Sequence, residues 1–345
     1  MASCIGEALE QAMSLKERTE QQYRTDRQGE VFSERPPLPR NMMVELSNAC
    51  NHACTFCPNP HMTRTKGRID NELMFRIITE AAADGVREIG FYTTGDPFIH
   101  KGLAAFTRHA KQAGMTYTYI STNGGLATPA RAKAVIDAGM DSIKFSINAG
   151  SRETYKLIHG VDDFDAIVSH LRFISEYRKT NRPELKLYIT CVVTKPMEHE
   201  IESFKALFGP LVDEMTFDPV TPLAWPDPVL NPAQGICPMP FNRLHVTCEG
   251  YLTLCCVDFQ NYLAVADLND QSLADAWYSP EFSAMRKRHL TQALAGTLCG
   301  RCWNGDKAKV EPIIPAYSAE LDHDAYEAIQ RDHVFAQLRP SILPQ

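Results

Sequence analysis

Met42-Met43-Val44-Glu45-Leu46-Ser47-Asn48-Ala49-Cys50-Asn51-His52-Ala53-Cys54-Thr55-Phe56-Cys57 is the stretch whose reading decides the fold. Its first half, Met42–Asn48, reads as a strand, and the strand runs straight into a CxxxCxxC loop. Three thiolates this close can wrap one corner of a cubic iron–sulfur cluster. Such a cluster has four irons, so three cysteines leave one open, and an open coordination position is where a substrate binds. Zinc is the competing ligand, because short cysteine spacings often hold it. Zinc loops usually pair CxxC with a second pair, however, and this triplet lacks a fourth ligand of its own.

Working outward, the chain alternates strand and helix from residue 42. Strands are expected at Met42–Asn48, Glu88–Thr93, Thr116–Ser121, Ser142–Ile147, Lys186–Val193 and Glu214–Asp218. Helical patterns lie between them near 70–84, 100–113, 129–138, 151–178 and 198–208. Strands alternating with helices imply right-handed βαβ units and a parallel sheet. Six units fall short of the eight of a closed barrel, and the cysteine triplet sits at a C-terminal strand end, the functional end of such folds.

The triplet, with the aromatic Phe56 before its third cysteine, resembles the signature of the radical S-adenosylmethionine (SAM) enzymes. The resemblance implies an α/β fold, a partial (β/α)6 TIM-like barrel over about residues 41–220. It implies a 4Fe–4S cluster held by Cys50, Cys54 and Cys57, whose open iron chelates SAM. Reductive cleavage would yield methionine and a 5′-deoxyadenosyl radical that abstracts hydrogen from the substrate. An electron donor of flavodoxin or ferredoxin type is implied as partner. Thr93-Thr94-Gly95-Asp96-Pro97, after the second strand, looks like the family's Gly-Gly-Glu-Pro motif, with Thr94 for the first Gly and Asp96 for Glu. Asp96 would hold the SAM amino group. Ser121-Thr122-Asn123-Gly124 resembles a ribose-contacting turn, and Ser146-Ile147-Asn148 stands where relatives often carry Ser-x-Asp. Alone, each is an ordinary turn. Behind a CxxxCxxC strand, Phe56, Thr94, Gly95, Asp96, Ser121, Asn123, Ser146 and Asn148 become SAM-site candidates.

A second cysteine set lies C-terminal. Leu244–Thr247 and Leu252–Leu254 read as a hairpin turning at Glu249-Gly250, and a helical stretch Leu273–Ala295 leads to Cys299-Gly300-Arg301-Cys302. The pattern C-x12-G-x4-C, a gap, then CxxC resembles the shortened SPASM or twitch iron–sulfur domain of many radical SAM enzymes. It implies one auxiliary 4Fe–4S cluster on Cys237, Cys255, Cys299 and Cys302. Cys256 and Cys248 compete with Cys255, and zinc stays open for this set. Four thiolates close a site, which suits electron transfer. The chain then divides into an N-terminal helical extension and linker (1–40), the barrel (41–220), the auxiliary domain (221–310) and a C-terminal helical tail (311–345). Residues 1–40 carry the helix-prone stretch Ala8 to Arg24, ended by Pro36, Pro37 and Pro39.

Composition narrows the classes. Net charge is −7, from 35 basic and 42 acidic residues with no basic block, so nothing supports nucleic-acid binding. No apolar run nears the roughly 20 residues of a membrane span. Met1 to Glu10 shows no secretory signal, and 11 clustered cysteines without one favour metal ligation in a reducing cytoplasm over disulfides.

The auxiliary spacing resembles the radical SAM alcohol dehydrogenases of aminoglycoside biosynthesis, which oxidise a carbinol using the second cluster as a one-electron sink. The rivals are a redox-neutral radical epimerase, a peptide-modifying enzyme forming a crosslink or thioether, and a non-enzymatic metal-binding protein. The substrate is accordingly a small molecule or a peptide. Candidate bases at strand ends are Glu45, Tyr92, Asn148, Arg152 and Asp218, with Arg152 also placed to contact SAM or substrate oxygens. Cys191, on the fifth strand, is a candidate hydrogen donor, with Cys248 and Cys256 behind it. Cys4 reads as a plain thiol, Trp225, Trp277 and Trp303 as packing residues, and the 11 histidines form no HxH or HExxH pattern.

Overall fold

The computed structural model describes residues 32–220, 235–305 and 308–320, with residues 14, 17, 337, 338 and 341. Cys4, Trp225, almost all of the stretch from Ala8 to Arg24 and most of the C-terminal tail lie outside the described residues.

Six strands, β1 (Asn41–Val44), β2 (Glu88–Gly90), β3 (Tyr117–Thr122), β4 (Ser142–Ser146), β5 (Lys186–Val193) and β6 (Glu214–Pro219), pair in parallel in sequence order. Helices α1 (Asn71–Ala83), α2 (Leu103–Gln112), α3 (Pro129–Asp137), α4 (Arg152–His159), α5 (Phe164–Asn181) and α6 (Ile201–Phe208) make the crossovers. α1 shows why such segments become helices. Asp70 caps it, its side chain accepting from Glu72 and Leu73 N–H. Its inner face buries Leu73, Met74, Ile77 and Ile78, spaced to share one side of the helix.

Two expected elements differ. The pattern over 151–178 is two helices, because Gly160 ends α4 at φ 71°, a conformation glycine adopts without penalty. The pattern over 273–295 is also two, α8 (Leu273–Trp277) and α9 (Pro280–Leu290), since Pro280 opens a new helix capped by Ser279.

The C-terminal segment continues the same sheet. After α7 (Met239–Asn242), β7 (Arg243–Val246) pairs in parallel with β1, and β8 (Tyr251–Thr253) and β9 (Ala264–Asp267) follow antiparallel. α8, α9 and α10 (Leu298–Asn304) cover it. Arg286, fully buried, is stacked between Trp277 (3.9 Å) and Phe282 (3.7 Å) and donates to Pro240 and Trp277 carbonyls. Burial still pulls it down to about 9, so its carbonyl and aromatic partners offset only part of the desolvation.

Side-chain alternation sorts each strand. Ile143, Phe145, Leu187, Ile189, Cys191 and Val193 are fully buried in the hydrophobic core. Tyr119, Ser121, Lys144, Ser146, Thr190 and Val192, with the opposite parity, are half-buried and face the concave side of the sheet.

Candidate active site

β1 ends at Val44 rather than Asn48, because Ser47 and Asn48 turn aside to bind the returning chain. Ser47 Oγ donates to the Gly67 carbonyl (2.7 Å), and Asn48 Oδ1 accepts from Gly67 N–H (2.7 Å). The cysteine loop hangs from this anchor. Its other support is the C-terminus of α4: Ala53 and Thr55 N–H donate to the carbonyls of His159 and Ile158 at 3.1 and 2.9 Å. A helix end leaves carbonyls without intrahelical partners, and the loop takes them up. Gly160 belongs to this junction too, since a Cβ there would stand 2.9 Å from the Ala53 carbonyl.

Cys50, Cys54 and Cys57 are free, half-buried thiols. Burial pushes Cys54 up, and the neighbouring Cys57 and Cys50 push it further. Burial raises Cys57 to about 11. Three converging, poorly solvated sulfurs cannot all ionise without a cation among them, which fits an iron–sulfur cluster. Lys66 contributes positive charge from the loop's underside, donating to Asn48 and Asn59 carbonyls and Asn59 Oδ1. Phe56 is half-buried in the loop.

The strand-end motifs meet this loop. Gly95 packs against its root, where a Cβ would stand 2.2 Å from the Ala49 carbonyl and 2.3 Å from that of Ser47. Asp96 N–H donates to Ala49 (3.0 Å). The Asp96 carboxylate, however, is spent inside the protein: it accepts from Phe98 N–H (2.9 Å), Thr122 Oγ1 (2.7 Å) and Asn123 N–H (2.9 Å). It braces the second strand end against the third, with one donor on Oδ1 and two on Oδ2. Thr94 is buried, and its carbonyl accepts from Asn59 Nδ2 (2.9 Å). Asn123 Nδ2 reaches Cys50 Sγ (3.5 Å) and Asn51 Oδ1 (3.0 Å). Ser121 and Ser146 lie on the concave face, flanking Lys144, whose Nζ stands 5.3 Å over the Tyr92 ring.

Other candidates fall elsewhere. Asn148 is 1% exposed, and its Oδ1 accepts from Val192 N–H (2.8 Å), so it is no base. Glu45 is 2% exposed and ion-paired to Arg64 (2.5 Å), which holds its carboxyl down against the upward push of burial. Arg64 also pairs with Glu249 (2.6 Å). Glu45, Cys248 and Glu249 converge closely enough to hold a metal, but the guanidinium already fills that place. Arg152 sits on the outer surface, its side chain 59% exposed and paired with Asp162 (2.7 Å) and Asp165 (3.4 Å). Its exposure and two carboxylate partners make it a solvated helix-start residue. Cys191 has the wrong parity for the cavity: it lies in the core against Met197 Sδ (3.8 Å).

Cys237, Cys255, Cys256, Cys299 and Cys302 line one cavity of about 210 Å³, with His289 and Trp303. Burial raises Cys299 and takes Cys302 to about 12, and neighbouring Cys237 adds to both. Both ring nitrogens of buried His289 lack a hydrogen-bond partner among the described residues. Converging thiols and an unsatisfied imidazole fit a pocket completed by a metal cluster. Cys255 is pushed up by its hydrogen bond to Cys256, by burial and by Cys237, whereas Cys256 is held down by that bond and by His245 and Arg243.

Sequence reasoning missed His52, His159, Lys66, Arg64, Lys144 and His245. His52 lies inside the cysteine loop, His245 inside the Leu244–Thr247 strand and His159 beyond Asn148, and no spacing rule joins them. Lys144 carried one available signal, its parity with Ser146.

The family described as the Radical SAM superfamily matches residues 44–207, and the iron-sulfur cluster-binding domain SPASM matches 237–303. The chain belongs to the radical SAM superfamily and carries a SPASM-type domain. Such enzymes use SAM and 4Fe–4S clusters. Among curated relatives, a probable GTP 3′,8-cyclase of Saccharolobus solfataricus is 33% identical over 38% of this chain and 42% of its own length. The PqqA peptide cyclase of Ruegeria pomeroyi is 35% identical over 38% of this chain and 35% of its own. The matched region therefore spans less than half the length of these relatives. Solved folds that resemble it include BtrN in complex with AdoMet and 2-DOIA (TM-score 0.53, 20% identity, 77% of this chain and 92% of that one). Streptococcus suis SuiB bound to precursor peptide SuiA gives 0.60 at 14% identity, over 80% and 73%. No described helix is long and apolar enough to cross a membrane.

Proposed function

We propose that the protein is a radical SAM oxidoreductase of dehydrogenase type, acting on a carbinol C–H of a sugar- or cyclitol-like small molecule. In this reading Cys50, Cys54 and Cys57 hold the SAM-binding cluster, and Cys237, Cys255, Cys299 and Cys302 hold one auxiliary 4Fe–4S cluster. When bound, these groups supply a hydrogen-abstracting 5′-deoxyadenosyl radical and a one-electron sink. The carrying observation is the cavity lined by those four thiols, in a segment whose strand β7 is hydrogen-bonded to β1. A closed thiolate set suits electron transfer, and the shared sheet ties its segment to the barrel. The substrate would lose a hydrogen atom from carbon, a proton from oxygen and one electron, leaving a ketone. With Glu45, Asn148 and Arg152 engaged elsewhere, Tyr92 and Asp218 remain as proton acceptors among the candidates. The division at residues 40, 220 and 310, and a flavodoxin- or ferredoxin-type donor, belong to the same reading.

A second reading is favoured by one contact. Cys256 lines the thiol cavity beside Cys255 and lies near His245 and Arg243 of β7, whereas Cys191 and Cys248 are buried against Met197 and Arg64. A redox-neutral epimerase would use Cys256 as hydrogen donor. Peptide modification has no comparable contact in its favour. Product mass decides: incubating iron-loaded enzyme, SAM and reductant with a panel of polyols should give a product lacking two hydrogens. An unchanged mass with one solvent deuterium would establish the epimerase, and a crosslink or thioether formed in a parallel panel of cysteine-containing peptides the peptide-modifying class.

A further inference from the structure

Behind the cysteine loop runs a chain of side chains whose protons can be placed. Asn148 closes one end. Its backbone N–H lies 3.2 Å, and its side-chain nitrogen 3.3 Å, from His159 Nε2. The Asn148 oxygen is fixed by Val192 N–H at 2.8 Å, so the amide presents its NH₂ to the ring. Two donors facing one nitrogen make it the acceptor, and a neutral imidazole then carries its proton on Nδ1. At the other end, the Asp163 carboxylate lies 3.1 Å from His52 Nε2. A carboxylate only accepts, so His52 is protonated there and its Nδ1 bears a lone pair. The Tyr155 hydroxyl lies 3.5 Å from that nitrogen, with the Asp163 carboxylate as a second acceptor for its proton.

In the middle, His159 Nδ1 stands 3.3 Å from His52 Nδ1 and 3.5 Å from Cys54 Sγ. Its single proton faces both. A thiolate is a stronger acceptor than a neutral imidazole nitrogen, so the proton is directed to Cys54. The His159 ring is held in this pose by stacking on Tyr155 at 3.9 Å between centroids, 7° from parallel.

We propose that His159 donates a hydrogen bond from Nδ1 to the Cys54 thiolate and so raises the reduction potential of the SAM-binding cluster, with Asn148 fixing the tautomer. The inference rests on the reading that Cys50, Cys54 and Cys57 hold that cluster. Hydrogen bonds to cluster sulfurs are among the determinants of potential, and a donor favours the more negative, reduced state. The amide at position 148 is essential to the argument. An aspartate there would accept from Nε2 and draw the proton away from Nδ1.

The test uses anaerobically reconstituted full-length enzyme. The electron paramagnetic resonance signal that shifts on adding SAM identifies the cluster. In the unaltered protein, ¹⁵N-histidine labelling should reveal one histidine nitrogen coupled to that signal, and D₂O exchange a coupled proton that His159→Leu removes, beside those of Asn123 and the loop N–H groups. In His159→Leu the reduced-to-oxidised ratio at a fixed potential should fall about tenfold, which is 59 mV for a one-electron couple. Asn148→Asp should shift it the same way. His159→Asn, whose amide N–H can occupy the place of Nδ1–H, should restore it. Iron-loaded protein without any SAM-responsive signal overturns the triplet assignment and the inference together. A SAM-responsive signal lacking the histidine coupling, or unshifted in folded His159→Leu, overturns the inference alone.

Discussion

Arg64→Met removes the centre of the ion-paired group that ties the cysteine loop to the auxiliary hairpin. Arg64 and Glu45 side chains are each 2% exposed, and Glu249 is 29% exposed. Methionine retains much of the volume, so the cost is mainly the charge left behind. An uncompensated buried carboxylate costs about 3–5 kcal/mol. The pH dependence identifies the cause. In the native protein Arg64 holds Glu45 below its ordinary value despite burial. A depressed carboxylate contributes stability above its unfolded pKa, about 4.3, and loses it only as pH falls through the folded value. Stability owed to Glu45 is therefore flat near neutrality. Without Arg64, burial raises the folded pKa above the unfolded one. Its contribution is then full below the unfolded pKa and is lost as pH rises toward the folded one. Between the two, the destabilisation should grow by about 1.4 kcal/mol per pH unit. Anaerobic urea denaturation of iron-loaded protein at about pH 6 and about pH 8 measures this slope directly. Adding Glu45→Gln should recover part of the loss, because the charge is gone. A loss equal at both pH values, or under about 1 kcal/mol, would refute a buried charge at this position.

Changing Cys50, Cys54 and Cys57 together to Ala should remove about half of the bound iron and abolish 5′-deoxyadenosine formation, while Cys299→Ala should spare SAM cleavage; iron analysis and chromatography read both. Gly95→Ala drives a methyl into the Ala49 and Ser47 carbonyls and should cost about 1–3 kcal/mol with lower iron occupancy, measured by denaturation and metal content. Cys191→Ser places a hydroxyl in an apolar core and should destabilise by about 1–3 kcal/mol, yet leave the deuterium content of the product unchanged. Arg152→Ala should leave SAM cleavage at the native rate, since its partners are surface carboxylates.

The strand–helix alternation and both cysteine sets were legible because each depends on short-range pattern. Parity and apolar spacing report secondary structure directly, and three thiols within eight residues are close by sequence alone. Lys186–Val193 is a strand in the structure over the same residues as in the sequence reading. Helix breaks at Gly160 and Pro280 also had local signals, which the longer apolar pattern concealed.

The alternating fold and the grouping of cysteines into an N-terminal triplet and a C-terminal set are written in local sequence. Only the tertiary structure decided which motif residues face a cavity and which are already engaged. Asp96 and Glu45 look alike as carboxylates near strand ends, but one accepts from N–H and hydroxyl donors and the other is ion-paired to Arg64. Cys191 differs from its neighbours only by one position of register, and one position turns a side chain to the opposite face of a sheet. His159 lies 105 residues from Cys54, and Arg64 lies 185 from Glu249. Such contacts exist because parallel strands and crossover helices bring distant segments to one edge. No local propensity encodes that closeness, so it appears only once the chain has folded.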